Sequence, residues 1–279
     1  DGIAPTYSTG DSMNRYYYTY FNGLSFDEDD NMYLTGYVTL ANSLNGHGGE
    51  LNNYPVHIWW DGTHYLTIND ISSALACNFV VKYDVLGDVL WSNQAYTDIQ
   101  QTNDFAYVRF YRSCVGEDGI YICGDAENYP TTGSMIYFEN NTNNYIDRYN
   151  EEQMSRAFYA MFNKHTGEYI KNDIVPNEKH STFAHNSASP AIVNNQLVVF
   201  AITDRSPLKI GIARWNIYGT FIDYHPTSTY PIECKVGPTI MNSQGDVLVS
   251  ATIKGNMSFS NDVVINCSNE NSNAVFALY

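Results

Sequence analysis

Aromatic residues and histidines that could bind a ligand occur in segments between the regular apolar runs of the chain. Trp59 and Trp60 are adjacent, and Tyr65 follows closely. Because adjacent residues of a strand point to opposite faces, one tryptophan would pack in the core. The other, if exposed, could stack on a sugar ring or a partner peptide. The other candidates in such segments are Tyr137, Tyr145, His180 and His185. These two histidines are too far apart for a compact metal-ligand pair, so we expect them in an exposed loop.

Carboxylates supply two further hypotheses. Asp125 and Glu127 share one face of a predicted strand and could contribute to a glycosidase pair, which needs carboxylates about 5–10 Å apart. Asp27 and Asp29 belong to an acidic turn that could hold Ca²⁺ through several oxygen ligands; a solvated turn without metal is the alternative. The sequence contains no Gly-x-Ser-x-Gly, His-Glu-x-x-His, phosphate-binding glycine loop or Cys-His signature. We therefore predict no catalytic residue, and no metal or cofactor apart from this candidate Ca²⁺.

Two of the five cysteines flank a predicted hairpin. With Asp118-Gly119 as a two-residue turn, Cys114 faces Cys123 in a non-hydrogen-bonded pair, where Cα atoms approach to about 4.5 Å. That separation permits a disulfide; the alternative is two reduced thiols in the core. An odd number of cysteines leaves at least one free, so the chain is not a disulfide scaffold.

The 279-residue chain has a formal net charge of −16 and 44% hydrophobic residues, enough to form a core. The negative charge argues against nucleic acid and anionic membranes as partners. No apolar run approaches the roughly 18 residues of a membrane span. The 24 tyrosines, with abundant Asn, Thr and Ser, are typical of strand-rich extracellular proteins. The chain begins at Asp1 without Met, so we expect that an export signal has been removed and that the protein is extracytoplasmic, whether periplasmic, on the cell surface or secreted.

A unit of four strands recurs along the chain. The second strand follows a polar turn in each copy: residues 32–36, 120–124, 197–201 and 247–251. The third strand ends in an aromatic residue, with a small residue or Val two positions earlier: residues 79–83, 158–162, 211–215 and 275–279. An Asx-to-Gly turn leads to the fourth strand in three copies: residues 84–87, 163–167 and 216–219. Large and small residues on one strand face are what closely stacked sheets need in order to interlock.

These copies predict an all-β protein with a single domain over residues 1–279, a β-propeller of about four antiparallel four-stranded blades. The first or second unit is long enough to hide a fifth blade. The units are approximately residues 22–98, 106–175, 188–226 and 236–279. The last unit ends after its third strand, so residues 13–21 would supply its fourth strand and close the ring. An open stack with an independent N-terminal arm is the alternative. Inserted hairpins separate the second and third strands of units one, two and four, and the one predicted helix spans residues 147–157.

Residues 78–91 read Asn-Phe-Val-Val-Lys-Tyr-Asp-Val-Leu-Gly-Asp-Val-Leu-Trp, and a Tyr-Leu-Thr-Gly strand at residues 33–36 precedes them. This pattern resembles the bacterial beta-propeller repeat (SBBP-type) family, whose repeat runs roughly Asp-x-x-Gly-Asn-x-Tyr-x-Thr-Gly, then Asp-Ala-Phe-Val-x-Lys-Tyr-Asp-x-x-Gly-x-x-x-Trp. The first unit fits well over residues 26–91, the second has Phe162-Asn163 in place of Tyr-Asp, and the third and fourth are degenerate. The resemblance implies a bacterial propeller, exported or attached to the surface, whose motif residues are structural and imply no enzyme activity.

In a propeller, the inserted hairpins and the connections between units share one end of the disc, which makes that end the expected binding surface. We therefore expect a non-catalytic, monomeric protein that binds a glycan or protein partner through the aromatic residues of its inserts. One alternative is a polysaccharide-acting glycosidase or lyase with carboxylates at the channel mouth. Another is a structural module of a surface assembly, which would expose a large apolar patch.

Overall fold

The protein is all-β in the computed structural model and forms a series of antiparallel sheets. The described residues are 6–9, 17–40, 56–59, 63–68, 77–97, 106–128, 136–138, 145–146, 154–175, 188–205, 208–226, 231, 233–241, 247–258, 264–267 and 273–278. The strands are β1 (Thr6–Thr9), β2 (Tyr17–Phe26), β3 (Met32–Leu40), β4 (Val56–Trp59), β5 (Tyr65–Ile68), β6 (Cys77–Tyr83), β7 (Val89–Thr97), β8 (Ala106–Val115), β9 (Gly119–Asn128), β10 (Ile136–Phe138), β11 (Tyr145–Ile146), β12 (Met154–Asn163), β13 (Tyr169–Ile174), β14 (Ala188–Val193), β15 (Gln196–Arg205), β16 (Leu208–Asn216), β17 (Phe221–Pro226), β18 (Glu233–Met241), β19 (Val247–Lys254), β20 (Met257–Ser258), β21 (Val264–Ile265) and β22 (Asn273–Leu278). Within these ranges there is no helix that could cross a membrane.

Each of the four predicted units forms a sheet whose strands are joined in chain order. Sheet 1 contains β2, β3, β6 and β7, and sheet 2 contains β8, β9, β12 and β13. Sheet 3 contains β14 to β17, and sheet 4 contains β18, β19 and β22. This up-and-down order confirms the predicted strand sequence of the repeat, including a fourth unit with three strands.

The Asx-to-Gly turns between third and fourth strands have the predicted geometry in all three copies. The Asp84 side-chain oxygen accepts two backbone N–H groups of its own turn at 2.8 and 2.9 Å, and the Gly87 N–H donates to the Asp84 carbonyl at 3.0 Å. Asn163 and Asn216 hold the turns of sheets 2 and 3 in the same way. The closing glycines have φ values of 88°, 77° and 82°, in the left-handed region where a Cβ would be strained.

Among the described residues, three apolar layers each lie between one sheet and the next. Buried members are Tyr33, Phe110 and Phe162 between sheets 1 and 2, Tyr159, Leu197 and Trp215 between sheets 2 and 3, and Phe200, Ile212 and Val249 between sheets 3 and 4. As predicted, the aromatic residue that ends the third strand is buried in sheets 1 to 3, and so is the smaller residue two positions earlier. The repeat pattern therefore encodes the packing of one sheet on the next.

Hydrogen bonds join the first strands of the sheets to one another. The Ser25 and Ser113 hydroxyl oxygens are 2.8 Å apart between β2 and β8. A bond from a backbone N–H of β18 to a serine hydroxyl of β14 joins sheets 3 and 4. Arg112 of β8 donates from Nη1 to the Val236 carbonyl of β18 at 3.1 Å, which links sheet 2 directly to sheet 4. These bonds bring the first strands together on the inner side of the stack.

Two sequence-based predictions about strand and helix positions are wrong. Residues 17–21, expected to complete unit four, belong to β2 and pair with β3, from Tyr17 opposite Leu40 to Phe21 opposite Gly36. A bulge after Phe21 lets this pairing continue into the predicted first strand, so both segments form one strand of sheet 1 and do not close the ring. The predicted helix is also wrong where it is described, because residues 154–157 extend β12 along β9.

The inserted hairpins of units one, two and four are present as predicted. β4 pairs with β5, β10 with β11, and β20 with β21. β1 joins β4, which makes a small three-stranded sheet, β1–β4–β5. β10 also pairs with β7, so the second insert extends sheet 1 to six strands. Unit three has only residues 206–207 between β15 and β16 and hence no insert.

Candidate functional site

Polar and aromatic side chains of sheets 1 and 2 meet where the second strands lead into the inserts. Tyr37, near the end of β3, pairs with Tyr20 of β2, and Asp125 of β9 pairs with Arg109 of β8. Tyr111 of β8 lies close to this second pair. We refer to these five residues as the insert-end cluster.

Arg109 and Asp125 form a buried ion pair in this cluster. The Arg109 Nη1 and Asp125 Oδ2 atoms are 3.6 Å apart, and the two side chains are 10% and 1% exposed. Taking two charges out of water is costly, and their attraction offsets that cost only when geometry and further hydrogen bonds are good.

Two tyrosines lie beside this ion pair. Burial raises the pKa of Tyr111 above its ordinary value, and the negative charge of Asp125 raises it further. Burial also raises the pKa of Tyr37, although the positive charge of Arg109 opposes this effect. Both hydroxyls therefore remain protonated at neutral pH and are able to donate hydrogen bonds.

Tyr20 brings an exposed aromatic ring to the insert-end cluster. Its ring stacks on that of Tyr37, with centroids 4.7 Å apart and planes inclined by 20°. Tyr20 is 40% exposed, whereas Tyr37 is half-buried, so the ring pair extends from the ion pair to the surface. An exposed ring fixed by a second ring suits the apolar face of a sugar or a peptide side chain.

Asp125 is poorly placed for the hydrolase alternative. Its side chain is 1% exposed and is paired with Arg109, so the carboxylate does not face a polymeric substrate. Glu127 pairs with Tyr107 in the β8–β9 ladder, and its side chain is outside the described part of the protein. The geometry at Asp125 therefore gives no support to acid–base catalysis there.

The first insert aligns two of the aromatic residues predicted to bind a ligand. Trp59 of β4 is directly opposite Tyr65 of β5 on one side and Thr6 of β1 on the other. Directly opposed residues share one face of a sheet, so this register brings Trp59 and Tyr65 to the same face. Sheet β1–β4–β5 lies beside β7 of sheet 1.

The second insert has a structural role at the edge of sheet 1. Tyr137 of β10 pairs with Tyr96 of β7 and with Tyr145 of β11. The next residue, Phe138, is fully buried and stacks on Tyr169 of sheet 2, with centroids 4.9 Å apart. This insert therefore covers the outer edge of sheet 1 and anchors it to sheet 2. Ligand binding by Tyr137 and Tyr145 stays a prediction.

The remaining predicted ligand-binding residues, Trp60, His180 and His185, lie outside the described residues, and their roles stay predictions. Over the part of the chain that is described, no three His, Cys, Asp or Glu side chains come close enough together to hold a metal ion.

The acidic turn of sheet 1 forms a buried ion pair. Asp27 Oδ2 is 3.2 Å from Lys82 Nζ, and these side chains are 2% and 6% exposed. The Tyr33 hydroxyl donates to the same oxygen at 2.9 Å, and the Asp29 and Asn31 N–H groups donate to Oδ1 at 3.1 and 2.9 Å. Burial would raise the pKa of Asp27, but hydrogen bonds from Asn31, Tyr33 and Lys82 hold it well below its ordinary value. A Ca²⁺ ion near Asp27 and Asp29 would compete with the Lys82 ammonium, and such a site stays a prediction.

Sheet 2 completes this hydrogen-bond network. The Lys164 carbonyl, in the Asx turn of sheet 2, accepts bonds from the Tyr33 hydroxyl at 3.2 Å, Lys82 Nζ at 3.0 Å and Trp91 Nε1 at 3.1 Å. The Lys164 ammonium forms an ion pair with Glu28. Lys82 therefore helps to hold sheet 2 on sheet 1. The equivalent residues in the other copies of the repeat are not lysine, so comparison of the copies does not predict this role.

Cys114 and Cys123 are free thiols, and the predicted disulfide is wrong. The last ladder pair of the hairpin is Val115 opposite Ile120, and the Gly116 N–H donates to the Gly119 carbonyl at 2.8 Å, so the turn is centred on Glu117-Asp118 in place of Asp118-Gly119. Cys114 consequently faces Tyr121, and Cys123 faces Arg112. The Asp-Gly signal located the hairpin correctly, but a turn that lies one residue earlier shifts the pairing register by two residues.

Sequence reasoning identified only one member of the insert-end cluster, Asp125. One signal was available, because Tyr37 and Asp125 both follow the glycine that ends the Tyr-x-x-Gly pattern of the second strand. Residues at this position differ among copies that are otherwise similar. The first-strand partners Tyr20 and Arg109 could be found only from the pairing register.

Comparison with known protein families and with curated proteins finds no match to this chain. The resemblance to the bacterial beta-propeller repeat family therefore stays a prediction that rests on the motifs in the sequence.

Proposed function

We propose that the protein is an exported β-propeller of the bacterial repeat type, and that it acts as a non-catalytic binding module for a glycan or protein ligand. Consecutive four-stranded meanders, apolar layers between them and bonds among the first strands support a radial arrangement of blades. The acidic, tyrosine-rich composition and the repeat motif support export.

The observation that carries the binding proposal is the exposed Tyr20 ring, stacked on Tyr37 beside the buried Arg109–Asp125 pair. Stacking on Tyr37 and the strand ladder hold the Tyr20 ring in place, so ligand binding would cost the protein little side-chain entropy. Tyrosine presents both a flat apolar surface and a hydroxyl, which suits sugars and peptides alike. A polar end with one exposed aromatic platform therefore favours recognition over catalysis.

The opposition of Trp59 and Tyr65 in the β4–β5 register makes the first insert a second candidate for ligand contact. Directly opposed residues share one face of a sheet, so both residues could contact the same ligand. The two candidate sites can be tested separately, because substitutions in one do not alter the strands of the other.

A glycan array, with a parallel panel of purified extracellular proteins, tests this proposal. For a ligand found in this way, Tyr20→Ala should weaken binding by about fivefold or more, since loss of a central aromatic contact typically costs more than about 1 kcal/mol. Trp59→Ala and Tyr65→Ala should weaken binding if the insert contributes. Affinities are measured by titration calorimetry.

Tyr218→Ala is the matched control, because Tyr218 is 80% exposed but lies in the Asx turn of sheet 3, at the other end of the strands. It should bind as the unmodified protein does. Unchanged affinity in Tyr20→Ala, Trp59→Ala and Tyr65→Ala together would refute the site assignment, and the absence of any ligand in both screens would refute the binding proposal.

One observation favours the structural-module alternative. Phe21, Leu24 and Phe26 of β2 are all close to half exposed, which gives the first sheet an apolar strip at the surface. Soluble proteins that expose such strips commonly use them in association.

A further inference from the structure

The tight turns of sheets 1 to 3 form one continuous surface, at the opposite end of the strands from the insert-end cluster. The Lys164 ammonium, in a turn of sheet 2, pairs with Glu28 in a turn of sheet 1. The Ile217 carbonyl, in a turn of sheet 3, accepts hydrogen bonds from the Tyr121 hydroxyl at 3.0 Å and from Lys171 Nζ at 3.4 Å, both of sheet 2. We call this the turn-end surface, and its turns are residues 27–31, 84–88, 116–119, 163–168, 194–195 and 216–220.

Carboxylates are concentrated on the turn-end surface. Its turns comprise 27 of the 279 residues, yet they contain nine of the 30 Asp and Glu residues and only one of the 14 Lys and Arg residues. That one cation, Lys164, has a 3% exposed side chain that is already paired with Glu28. The exposed acidic residues are Glu28, Asp29, Asp30, Asp88, Glu117, Asp118 and Glu168. The turn-end surface therefore has a negative potential that no exposed lysine or arginine of these turns offsets.

Most of the large apolar side chains that the described residues expose lie on the same surface. Leu86, Tyr218 and Val85 are 82%, 80% and 65% exposed in the turns themselves. Five more lie within two residues of a turn and are 42–56% exposed: Phe26, Leu90, Ile170, Phe221 and Ile222. Twelve such side chains are exposed in the described part of the chain, so eight of them lie at this one end. Scattered exposed apolar residues are ordinary, but their concentration on one surface indicates association.

The repeat produces part of this exposure in the same way in three sheets. Leu90, Ile170 and Ile222 are each the second residue of a fourth strand. Each is also the extra residue of a bulge, because the residues on either side of it pair with consecutive residues of the third strand. Three copies share both the bulge and an exposed aliphatic residue within it, so this exposure is a property of the repeat.

From the coincidence of these apolar and acidic side chains, we infer that the turn-end surface docks a segment of a partner protein in which lysine or arginine residues alternate with apolar ones. The apolar side chains of the partner would cover Leu86, Leu90 and Tyr218, and its cations would pair with the surrounding carboxylates. Local hydrogen bonds already fix the Asx turns, so binding would cost little entropy in ordering them. This surface is separate from the proposed ligand site at the insert end, and the inference does not depend on that site.

Electrostatics favour such a partner over two other occupants. A second copy of this chain would carry the same net charge of −16, so the two copies would repel each other. Anionic lipid headgroups would also repel the carboxylates, and carboxylates beside the apolar turn tips oppose insertion of those tips into a bilayer. A cationic amphipathic protein segment matches both the charge and the apolar character of the surface.

A phage library of random dodecapeptides tests which chemistry this surface accepts. The library is first depleted on a double variant, Leu86→Ser with Tyr218→Ser, and is then selected on the unmodified protein. Peptides that survive both steps require the turn-end surface, and they should combine lysine or arginine with apolar residues. Enriched peptides that are acidic or uncharged, or the absence of any enriched peptide, would overturn the inference.

Fluorescence anisotropy with a synthetic peptide of an enriched sequence measures the contribution of each side chain. Leu86→Ser and Tyr218→Ser should each weaken binding by about tenfold, through loss of apolar burial. Asp29→Asn and Glu117→Gln should each weaken it by about two- to fivefold, and by less at high salt. All four side chains are exposed, so we expect these variants to fold, and circular dichroism verifies this.

Tyr20→Ala is the matched control, because Tyr20 is 40% exposed at the insert end. It should bind the peptide as the unmodified protein does. Weaker binding in Tyr20→Ala, with unchanged binding in Leu86→Ser and Tyr218→Ser, would place the contact at the insert end and overturn the inference. Self-association in sedimentation velocity, or flotation with phosphatidylcholine vesicles, would also overturn it if either were lost in Leu86→Ser, because a second copy or a lipid surface would then be the occupant.

Discussion

Substitution of Lys82 by methionine should strongly destabilise the junction of sheets 1 and 2. The Lys82 ammonium lies 3.2 Å from Asp27, and at this distance two unit charges attract by about 5 kcal/mol at an effective dielectric constant of about 20. The ammonium also donates to the Lys164 carbonyl at 3.0 Å and lies 5.1 Å from the centroid of the Tyr33 ring. Methionine keeps most of the length and the apolar character of the stem but leaves the Asp27 charge buried without its counter-ion.

The expected loss in the free energy of unfolding is about 3–5 kcal/mol, the usual cost of removing one partner of a buried ion pair. Adding Asp27→Asn to Lys82→Met removes the orphaned charge, while the amide oxygen can still accept N–H groups of the turn. The double variant should therefore be more stable than the sum of the two single losses implies, by about 1–3 kcal/mol.

Urea unfolding, followed by tryptophan fluorescence and circular dichroism, measures these differences. Lys254→Met is the matched control, because Lys254 pairs with Glu233 at 3.7 Å and Glu233 is 64% exposed. Exposed pairs contribute at most about 1 kcal/mol. If Lys82→Met costs no more than Lys254→Met, the junction does not depend on the buried pair, and the reasoning is refuted.

Three further results are expected. Mass spectrometry of denatured, unreduced protein should find Cys114 and Cys123 both alkylated, and burial, which raises the pKa of each thiol, should protect them in the folded protein; a disulfide-linked peptide would contradict the register. Gly87→Ala should cost about 1–2 kcal/mol in urea unfolding through its φ of 88° alone. Gly167→Ala should cost more, because its Cβ would come within 2.7 Å of the tryptophan ring of β7, and equal losses would argue against that contact. Burial opposes a low pKa at Asp27, but its hydrogen bonds hold the folded pKa below the unfolded value of about 3.9. Its stabilisation is therefore present above about pH 4 and lost as pH falls, so the destabilisation caused by Asp27→Asn should shrink in acid, and a constant difference would contradict this.

The strand positions could be predicted from the sequence because equivalent positions of each copy carry residues of similar size that are buried in the same way. Tyr83, Phe162 and Trp215 occupy the equivalent aromatic position of the third strand, and all three are buried. Phe162 and Trp215 belong to the layers between sheets. The Asx residue and glycine that follow form a turn by local bonds alone, so a short motif specifies it. Features that depend on residues close together in the sequence could therefore be predicted.

Features that depend on strand register or on partners distant in the sequence could not be predicted. The Asp-Gly pair predicted a turn at Asp118-Gly119, but the hairpin of sheet 2 turns one residue earlier, and this shift moves Cys114 away from Cys123. Lys82 reaches a carbonyl 82 residues away in Lys164, a partner that no local pattern signals. The N-terminal strand was misassigned because a bulge after Phe21 joins two segments that read as separate strands.

The position after the glycine or alanine that ends the second-strand motif shows where this repeat permits chemical variation. It is occupied by Tyr37 in sheet 1, Asp125 in sheet 2 and Ile202 in sheet 3. Ile202 is buried in the layer between sheets 3 and 4, whereas Tyr37 and Asp125 each pair with a different first-strand residue in the insert-end cluster. Since the turn and the aromatic at the other end of the strands hold the sheets together, substitutions at this position can alter ligand chemistry without altering the fold. Recognition at the insert end is therefore expected to depend on the residues by which sheets 1 and 2 differ from each other, and not on the motif that they share.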